Sequence, residues 1–229
     1  MTQKIRPSEF VLTYGPGAIL ESQDGPVIIP DPKRGMFFEG SDFENPANYV
    51  IDDQKLSQGL LPKNSKIFEL PTDASVALKD DEDGTENTIY KTKPFPKWYL
   101  CLNRKGHPGD YDILYQSNQC PKCKDPTAGQ KGAIRFVMAC NHGHLDEVSW
   151  SYLIHGSGPN PCSHTSVVKG FDQDLMNKST FFWKRVGSTL KDIDIECPRC
   201  ENSVNLGDAY YGEFSCRGRN PHSESTNPG

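Results

Sequence analysis

The sequence has few apolar residues and little that could build a large core. Apolar residues make up 35% of its 229 residues, below the usual share of globular proteins. Glycine and proline are plentiful instead, with 20 and 18 residues respectively. We therefore expect an α+β fold that is small and loop-rich, with short elements and a modest core that needs cross-links.

Two kinds of apolar segment are also missing. The first ten residues, MTQKIRPSEF, lack the long apolar stretch of a secretory signal. No window approaches the ~18 apolar residues that a membrane-spanning helix needs. These features predict a cytoplasmic protein without a membrane, where disulfides are disfavoured and paired cysteines are better interpreted as metal ligands.

Excess positive charge is absent as well. The formal net charge is −5, which argues against a protein that coats nucleic acid without specificity. Acidic residues concentrate at 78–87, and residues 79–93 are expected to form an exposed, mobile loop. Basic residues gather at 91–98 and 216–222, so a local basic face stays possible.

The chain divides by composition into an N-terminal α+β segment with the acidic loop, a cysteine-rich region and a tail. Their expected bounds are 1–93, 94–222 and 223–229, the last of them disordered. Local patterns predict strand-turn-strand at 5–20, helices at 50–61 and 145–154, a helical turn within 205–216, and strands at 25–32, 66–71, 135–139, 180–186 and 190–197.

All eight cysteines and five of the six histidines lie between residues 101 and 216. Two Cys-x-x-Cys pairs stand out, Cys120–Cys123 and Cys197–Cys200, each with proline and a basic residue between the cysteines. Such a tight turn lets two thiolates face one tetrahedral Zn²⁺ while backbone N–H groups bond to the sulfurs. The sequence therefore predicts structural zinc, with two ions per chain.

The first pair has two possible sets of partners. Cys101 ends an aromatic strand and is followed by His107, so these two residues could complete the site. Alternatively, Cys140 and His144 follow Cys123 at the spacing of a zinc ribbon. The sequence does not decide between them.

For the second pair, Cys216 is expected as the third thiolate, with fifteen residues between it and Cys200. The fourth ligand could be Cys162, His222 or Cys140. His155 stands at the end of a predicted helix, where a histidine is usually satisfied locally, and is not expected to bind metal.

The stretch CNHGHLDE at 140–147 also suggests a second hypothesis, a zinc-dependent hydrolase acting on nucleic acid at Cys140, His142 and His144. Asp146 and Glu147 would stand beside the histidines. However, HExxH and the deaminase pattern are absent, and no βαβ frame supports a thioredoxin-like role. We therefore expect no enzyme activity.

Several motifs together resemble a known family. They are RPSEFVLTYGPGAILES, FPKWYLC, CPKC, RFVMACNHGHLDEVSW and IECPRC with FSCRGRNPH, in collinear order along the whole chain. This set is similar to the N-terminal region of the DrmB-like proteins of the DISARM antiphage defence system. Family members are typically much longer, so the chain looks like a fragment, a split product or a short variant.

The resemblance implies a non-catalytic partner of a helicase-like ATPase subunit of the DrmA type, acting with it on DNA in a defence complex. It also implies a first zinc site with two Cys-x-x-Cys pairs, but Arg104 stands where a cysteine would be. A regulator that binds the helicase without touching DNA is a third possibility. Zinc-fixed loops would present seven basic residues to phosphates: Lys91, Lys93, Lys97, Lys122, Arg199, Arg217 and Arg219.

Overall fold

The computed structural model describes residues 5–36, 46–62, 65–70, 90–103, 105–107, 109–116, 119–122, 131–156 and 180–224. Cys123, Cys162, most of the predicted acidic loop and most of the predicted disordered tail lie outside these ranges. The chain divides into two compact units. Unit 1 comprises residues 1–22, 27–93 and 221–229, and unit 2 comprises residues 23–26 and 94–220.

The described residues form short helices and strands, as the composition predicts. The helices are α1 (Pro7–Leu12), α2 (Pro32–Gly35), α3 (Gln54–Gly59), α4 (Trp150–His155) and α5 (Leu206–Tyr210). The strands are β1 (Ile19–Ser22), β2 (Gly25–Ile28), β3 (Val50–Ile51), β4 (Ile67–Phe68), β5 (Lys93–Pro94), β6 (Tyr99–Cys101), β7 (Asp112–Tyr115), β8 (Lys131–Ala133), β9 (Val137–Ala139), β10 (Leu145–Glu147), β11 (Phe181–Arg185), β12 (Ile193–Glu196) and β13 (Ser203–Asn205). No helix in the described ranges is long and apolar enough to cross a membrane.

Two predictions for unit 1 are wrong. The run at 7–12 forms helix α1 rather than a strand: Pro7 occupies the first turn, where its missing N–H costs nothing. The predicted helix at 50–61 is shorter. Val50 and Ile51 pair with β4, and the Asp53 side chain caps α3 by accepting from the backbone N–H of Lys55 and Leu56.

Unit 2 is built on a six-stranded sheet with the order β13-β12-β11-β7-β6-β8. Every pairing in it is antiparallel. The predicted strand at 180–186 is confirmed as β11, whereas 190–197 begins with a turn of 3₁₀ helix at Leu190–Asp192 before β12. The predicted helical turn within 205–216 is confirmed as α5.

The central strand β7 is buried along its whole length, so the sheet has a core on each face. Side chains of successive strand residues point to opposite faces. Leu114 accordingly packs with Trp150 and Trp183 in the larger core. Ile113 and Tyr115 pack with Cys101 and Cys120 in the smaller one. Each core therefore contains a cysteine at or just after the end of a strand, Cys197 after β12 and Cys101 in β6.

The predicted helix at 145–154 is wrong in its first half. Leu145 to Glu147 form β10, which pairs antiparallel with β9, and Leu145 lies opposite Ala139. Gly143 turns the chain with φ of +80°, a conformation that glycine adopts without strain. The buried Trp150 then starts α4. The predicted buried strand at 135–139 reduces to β9, which is only half-buried or exposed.

Candidate metal centres

Cysteine and histidine side chains of unit 2 gather in three groups within the described part of the chain. In each group the sulfur and nitrogen atoms all lie within 4.8 Å of one another. We call them the buried cluster (Cys101, His107 and Cys120), the hairpin cluster (Cys140, His144 and Cys216) and the helix cluster (His155, Cys197 and Cys200). Each group thus offers two sulfur atoms and one histidine.

The buried cluster forms at the ends of two paired strands. Cys101 is the last residue of β6, and Cys120 follows β7, which pairs antiparallel with β6. His107 comes from the connection between these strands, where Gly106 N–H donates to the carbonyl and side chain of Asn103. All three members of the cluster are at most 5% exposed. Water is therefore kept away from their sulfur and nitrogen atoms.

The imidazole of His107 lacks the hydrogen bonds that burial normally demands. Neither Nδ1 nor Nε2 has a partner among the described residues, and both atoms are buried. A buried polar group without a partner costs about 1–3 kcal/mol. Burial also lowers the pKa of His107, which favours the neutral ring that metals bind. A metal beside Cys101 and Cys120 would satisfy one ring nitrogen, so these residues fit Zn²⁺.

The hairpin cluster closes the turn between β9 and β10. Cys140 N–H donates to the His144 carbonyl, and Gly143 N–H donates to the Cys140 carbonyl, so both side chains leave the same short loop. Cys216 approaches from a later segment of the chain. His144 Nδ1 lies 3.4 Å from the Sγ atoms of both Cys140 and Cys216.

These distances fit ligands of one metal ion. With Zn–S near 2.3 Å and Zn–N near 2.0 Å, tetrahedral geometry places sulfur and nitrogen about 3.5 Å apart. A neutral His144 Nδ1 could accept a hydrogen bond from only one thiol at a time, whereas a metal would satisfy both contacts together. The donor set of the hairpin cluster therefore fits Zn²⁺.

Cys140 already favours the thiolate that a metal needs. Burial opposes ionisation of the Cys140 thiol. Hydrogen bonds from the backbone N–H groups of His142 and His144, from Cys216 and from the His144 ring together outweigh the effect of burial. They lower the pKa of Cys140 to about 6. Gly218 N–H likewise lies 3.3 Å from the sulfur of Cys216. Backbone N–H groups directed at sulfur are usual around zinc-bound cysteine.

The helix cluster joins the end of α4 to the turn after β12. Cys197 is fully buried, and its N–H donates to the carbonyl of Asn202. Glu201 N–H donates back to the carbonyl of Cys197, and Glu201 has a φ of +58°. This tight turn brings Cys200 round to the ring of His155.

His155 is oriented as metal-binding histidines usually are. Its Nδ1 lies 2.7 Å from the carbonyl oxygen of Ser151, one turn earlier in α4, and so carries the proton. Its Nε2 then faces the sulfur of Cys200 at 3.4 Å, the separation expected for two ligands of one zinc. Metal ligands commonly donate their second ring N–H to a carbonyl in this way.

Of the two partner sets left open for the first pair, the structure places Cys101 and His107 beside Cys120. Cys140 and His144 form a separate group, so they do not pair with Cys120 as in a zinc ribbon. Cys216 is not the third member beside Cys197 and Cys200. The expected two sites become three groups.

His155 is the group member that sequence reasoning missed. It takes the place beside Cys197 and Cys200 that was expected for Cys216. The sequence carries no local signal for this role, because the group that orients the ring is the backbone carbonyl of Ser151, which any residue there would supply.

His142 and His222 are not members of the three groups, and Cys123 and Cys162 lie outside the described residues. His142 is exposed in the hairpin loop, and its ring centroid lies 6.4 Å from that of His144. His222 belongs to unit 1, where its carbonyl accepts from Asp31 N–H.

The two acidic residues of the hairpin have partners that bear on the hydrolase hypothesis. Asp146 accepts from Arg217 and Arg219. Glu147 accepts from the backbone of Lys97 and the side chain of Gln116. Burial raises the pKa of Glu147. Both carboxylates thus make structural contacts.

The seven basic residues expected to face DNA fall into different environments. Lys91, Lys97, Lys122 and Arg199 are exposed, and Lys122 also lies over the ring of Phe182. Lys93 donates to the carbonyl of Glu224. Arg217 and Arg219 form ion pairs with Asp146, at 2.6 and 3.0 Å.

Over the described ranges, the fold is that of an α+β protein with an antiparallel six-stranded sheet and three cysteine–histidine groups able to hold metal. The chain belongs to the family described as Domain of unknown function (DUF8724), whose model matches residues 6–228.

The chain is also similar to the DISARM protein DrmB of Bacillus paralicheniformis (strain ATCC 9945a / NCIMB 11709 / CD-2). The two are 26% identical over 141 residues, and the match covers 56% of this chain and 22% of the relative. The similarity expected along the whole chain is thus seen over somewhat more than half of it. The matched region spans less than a quarter of the relative.

Proposed function

We propose that this chain is a non-catalytic, zinc-binding component of an antiphage defence complex. In this proposal it binds a helicase-type ATPase subunit and supports DNA binding by the complex. The observation that carries the proposal is the set of three cysteine–histidine groups, in a chain similar to a DISARM protein. Zinc would hold together strand ends and loops that the small cores alone leave weakly anchored.

The contacts within each group support a structural role for the metal. The buried cluster is closed to water, and the helix cluster holds Cys197 in the larger core. Catalytic zinc needs an open position and a nearby base. Because Asp146 and Glu147 are both engaged by neighbouring residues, a binding role is better supported than hydrolysis.

One observation favours the related candidate function, a regulator that binds the ATPase subunit without touching DNA. Arg217 and Arg219 make their ion pairs with Asp146 rather than standing free for phosphates. Exposed Lys97, Lys122 and Arg199 support the first proposal instead.

Three experiments test the proposal. A helicase-type ATPase subunit expressed together with this chain should copurify with it, and omitting the chain should abolish protection against phage in a plaque assay. DNA affinity of the pair, measured against salt concentration, should exceed that of the ATPase alone. An ATPase with the same affinity and salt dependence by itself would support the regulator. If the ATPase subunit does not copurify and omitting the chain leaves protection unchanged, both candidate functions are refuted.

A further inference from the structure

The hairpin cluster depends on a segment, residues 216–219, that is distant in sequence from its other two ligands. Cys140 and His144 are fixed by the turn between β9 and β10. Cys216 arrives in a stretch without helix or strand, so something else must place its sulfur. The contacts of Asp146 supply that restraint.

Asp146 lies on β10, two residues after His144. Because side chains alternate along an extended strand, both residues project from the same side of the hairpin. The Asp146 residue is only 6% exposed. A carboxylate so buried requires charged partners or several hydrogen bonds.

Both partners come from the segment that carries Cys216. Arg217 Nε donates to Oδ2 of Asp146 at 2.6 Å, and Arg219 Nη1 donates to Oδ1 at 3.0 Å. The backbone adds a third link, because Leu145 N–H donates to the carbonyl of Arg219 at 3.1 Å. Asp146 also accepts from the N–H of Glu147. Two charge-assisted bonds from one carboxylate thus fix the residues immediately after Cys216.

We propose that Asp146 is the positioning residue of the hairpin cluster, acting through Arg217 and Arg219 to set Cys216 at the metal. This inference rests on the proposed function, since it requires zinc at that cluster. Residues that orient metal ligands typically change metal affinity about 10–100-fold when they are replaced. Asp146 therefore controls one metal and not the other two.

The test is zinc affinity, measured by competition with a chromophoric chelator. Asp146→Asn keeps the shape and removes the charge, and it should weaken one of the three zinc ions by about 10–100-fold. Arg217→Ala combined with Arg219→Ala should weaken the same ion. Asp31→Asn is the matched control. It removes an ion pair with Arg34 in unit 1 while keeping a side chain that can cap α2, and it should leave all three affinities unchanged.

A His144→Ala background shows which ion is affected. Asp146→Asn should cause no further loss there, because the hairpin ion is already gone. With cobalt in place of zinc, Asp146→Asn should remove or shift the visible absorption of that same single site. If Asp146→Asn does not fold, the double arginine variant, whose side chains are 52% and 41% exposed, decides the question.

The outcomes separate the two proposals. If His144→Ala binds as much zinc as the unaltered chain, the hairpin cluster holds no metal and the proposed function fails there. If His144→Ala loses one ion while Asp146→Asn keeps the original affinity, the cluster is real and the positioning role is wrong. Loss of zinc from another cluster in Asp146→Asn would also overturn it.

Discussion

The buried cluster and the hairpin cluster use the same donor set, two cysteines and one histidine, in opposite surroundings. The first lies in the smaller core at strand ends, with every member at most 5% exposed. The second stands at a hairpin turn, where Cys216 is exposed. The exposure of a ligand group therefore changes which neighbouring contacts must hold its side chains in place.

The two clusters fix their ligand side chains by different contacts. In the buried cluster, packing fixes the side chains, and neither ring nitrogen of His107 has a hydrogen-bond partner in the part of the chain that the structure describes. In the hairpin cluster, explicit hydrogen bonds and ion pairs fix the side chains, and Cys140 is stabilised as a thiolate. A metal in the first cluster would complete a core, whereas a metal in the second would join two surface segments.

The largest difference should appear when one cysteine of each cluster is removed. Cys120→Ala should unfold unit 2 or make the protein insoluble, because binding of structural zinc supplies about 10–16 kcal/mol of folding free energy in small zinc domains. Cys216→Ala should stay folded and lose one metal. Thermal unfolding with parallel zinc analysis measures both. Equal destabilisation by the two changes would remove the distinction between the clusters.

The two clusters should release zinc to a chelator at different rates. With excess EDTA at neutral pH, zinc in the hairpin cluster should leave first, since its ligands are accessible, and zinc in the buried cluster should leave last, on unfolding. One of three ions is expected in the fast phase. His144→Ala should lack that phase and keep the slow ones. Simultaneous release of all three ions would contradict the comparison.

Thiol reactivity should follow pH differently at the two clusters when zinc has been removed from the hairpin cluster alone. The pKa of Cys140 is lowered to about 6, so its thiolate dominates at pH 7 and is protonated as the pH falls through 6. Its alkylation rate should be half-maximal near pH 6, against about 8.5 for an ordinary cysteine. Peptide mapping by mass spectrometry measures this, with Cys120 expected to react slowly at any pH because it is buried. A midpoint near pH 8.5 for Cys140 would be the contrary result.

The smallest expected effect concerns DNA. Lys122, beside the buried cluster, is exposed, whereas Arg217, beside the hairpin cluster, is paired with Asp146. Lys122→Ala should therefore reduce the slope of log DNA affinity against log salt concentration, measured for the complex, by about 1. Arg217→Ala should change that slope less. Fluorescence anisotropy across a salt series measures the slopes. Equal slopes for Lys122→Ala and the unaltered complex would exclude a phosphate contact there.

Six of the eight cysteines predicted as ligands lie in the three groups, and the other two lie outside the described residues, but the sequence did not predict how they group. Proline and spacing within the Cys-x-x-Cys pairs report a local turn, and the turn at Cys197–Cys200 is present. Grouping depends on strand pairing, which spacing does not encode. Cys101 meets Cys120 because β6 pairs with β7, and Cys216 meets Cys140 because Asp146 holds the residues that follow Cys216.

The errors in secondary structure have a similar cause. The apolar residues at 145–154 suit a helix by periodicity, but Leu145 to Glu147 gain more from pairing with β9 across the Gly143 turn. The predicted helix at 50–61 likewise gave way to pairing of Val50 and Ile51 with β4. Short apolar runs are ambiguous until a partner strand is known. His155 was missed because its partners lie more than forty residues away.

We expect each of the three clusters to bind zinc, and the zinc content of the protein tests this expectation most directly. Elemental analysis of the purified chain should give about three zinc per chain, one for each group. His107→Ala, His144→Ala and His155→Ala should each lower that number by one, wherever the variant stays folded. A chain that folds without zinc, or a histidine variant that keeps all three ions, would contradict the account.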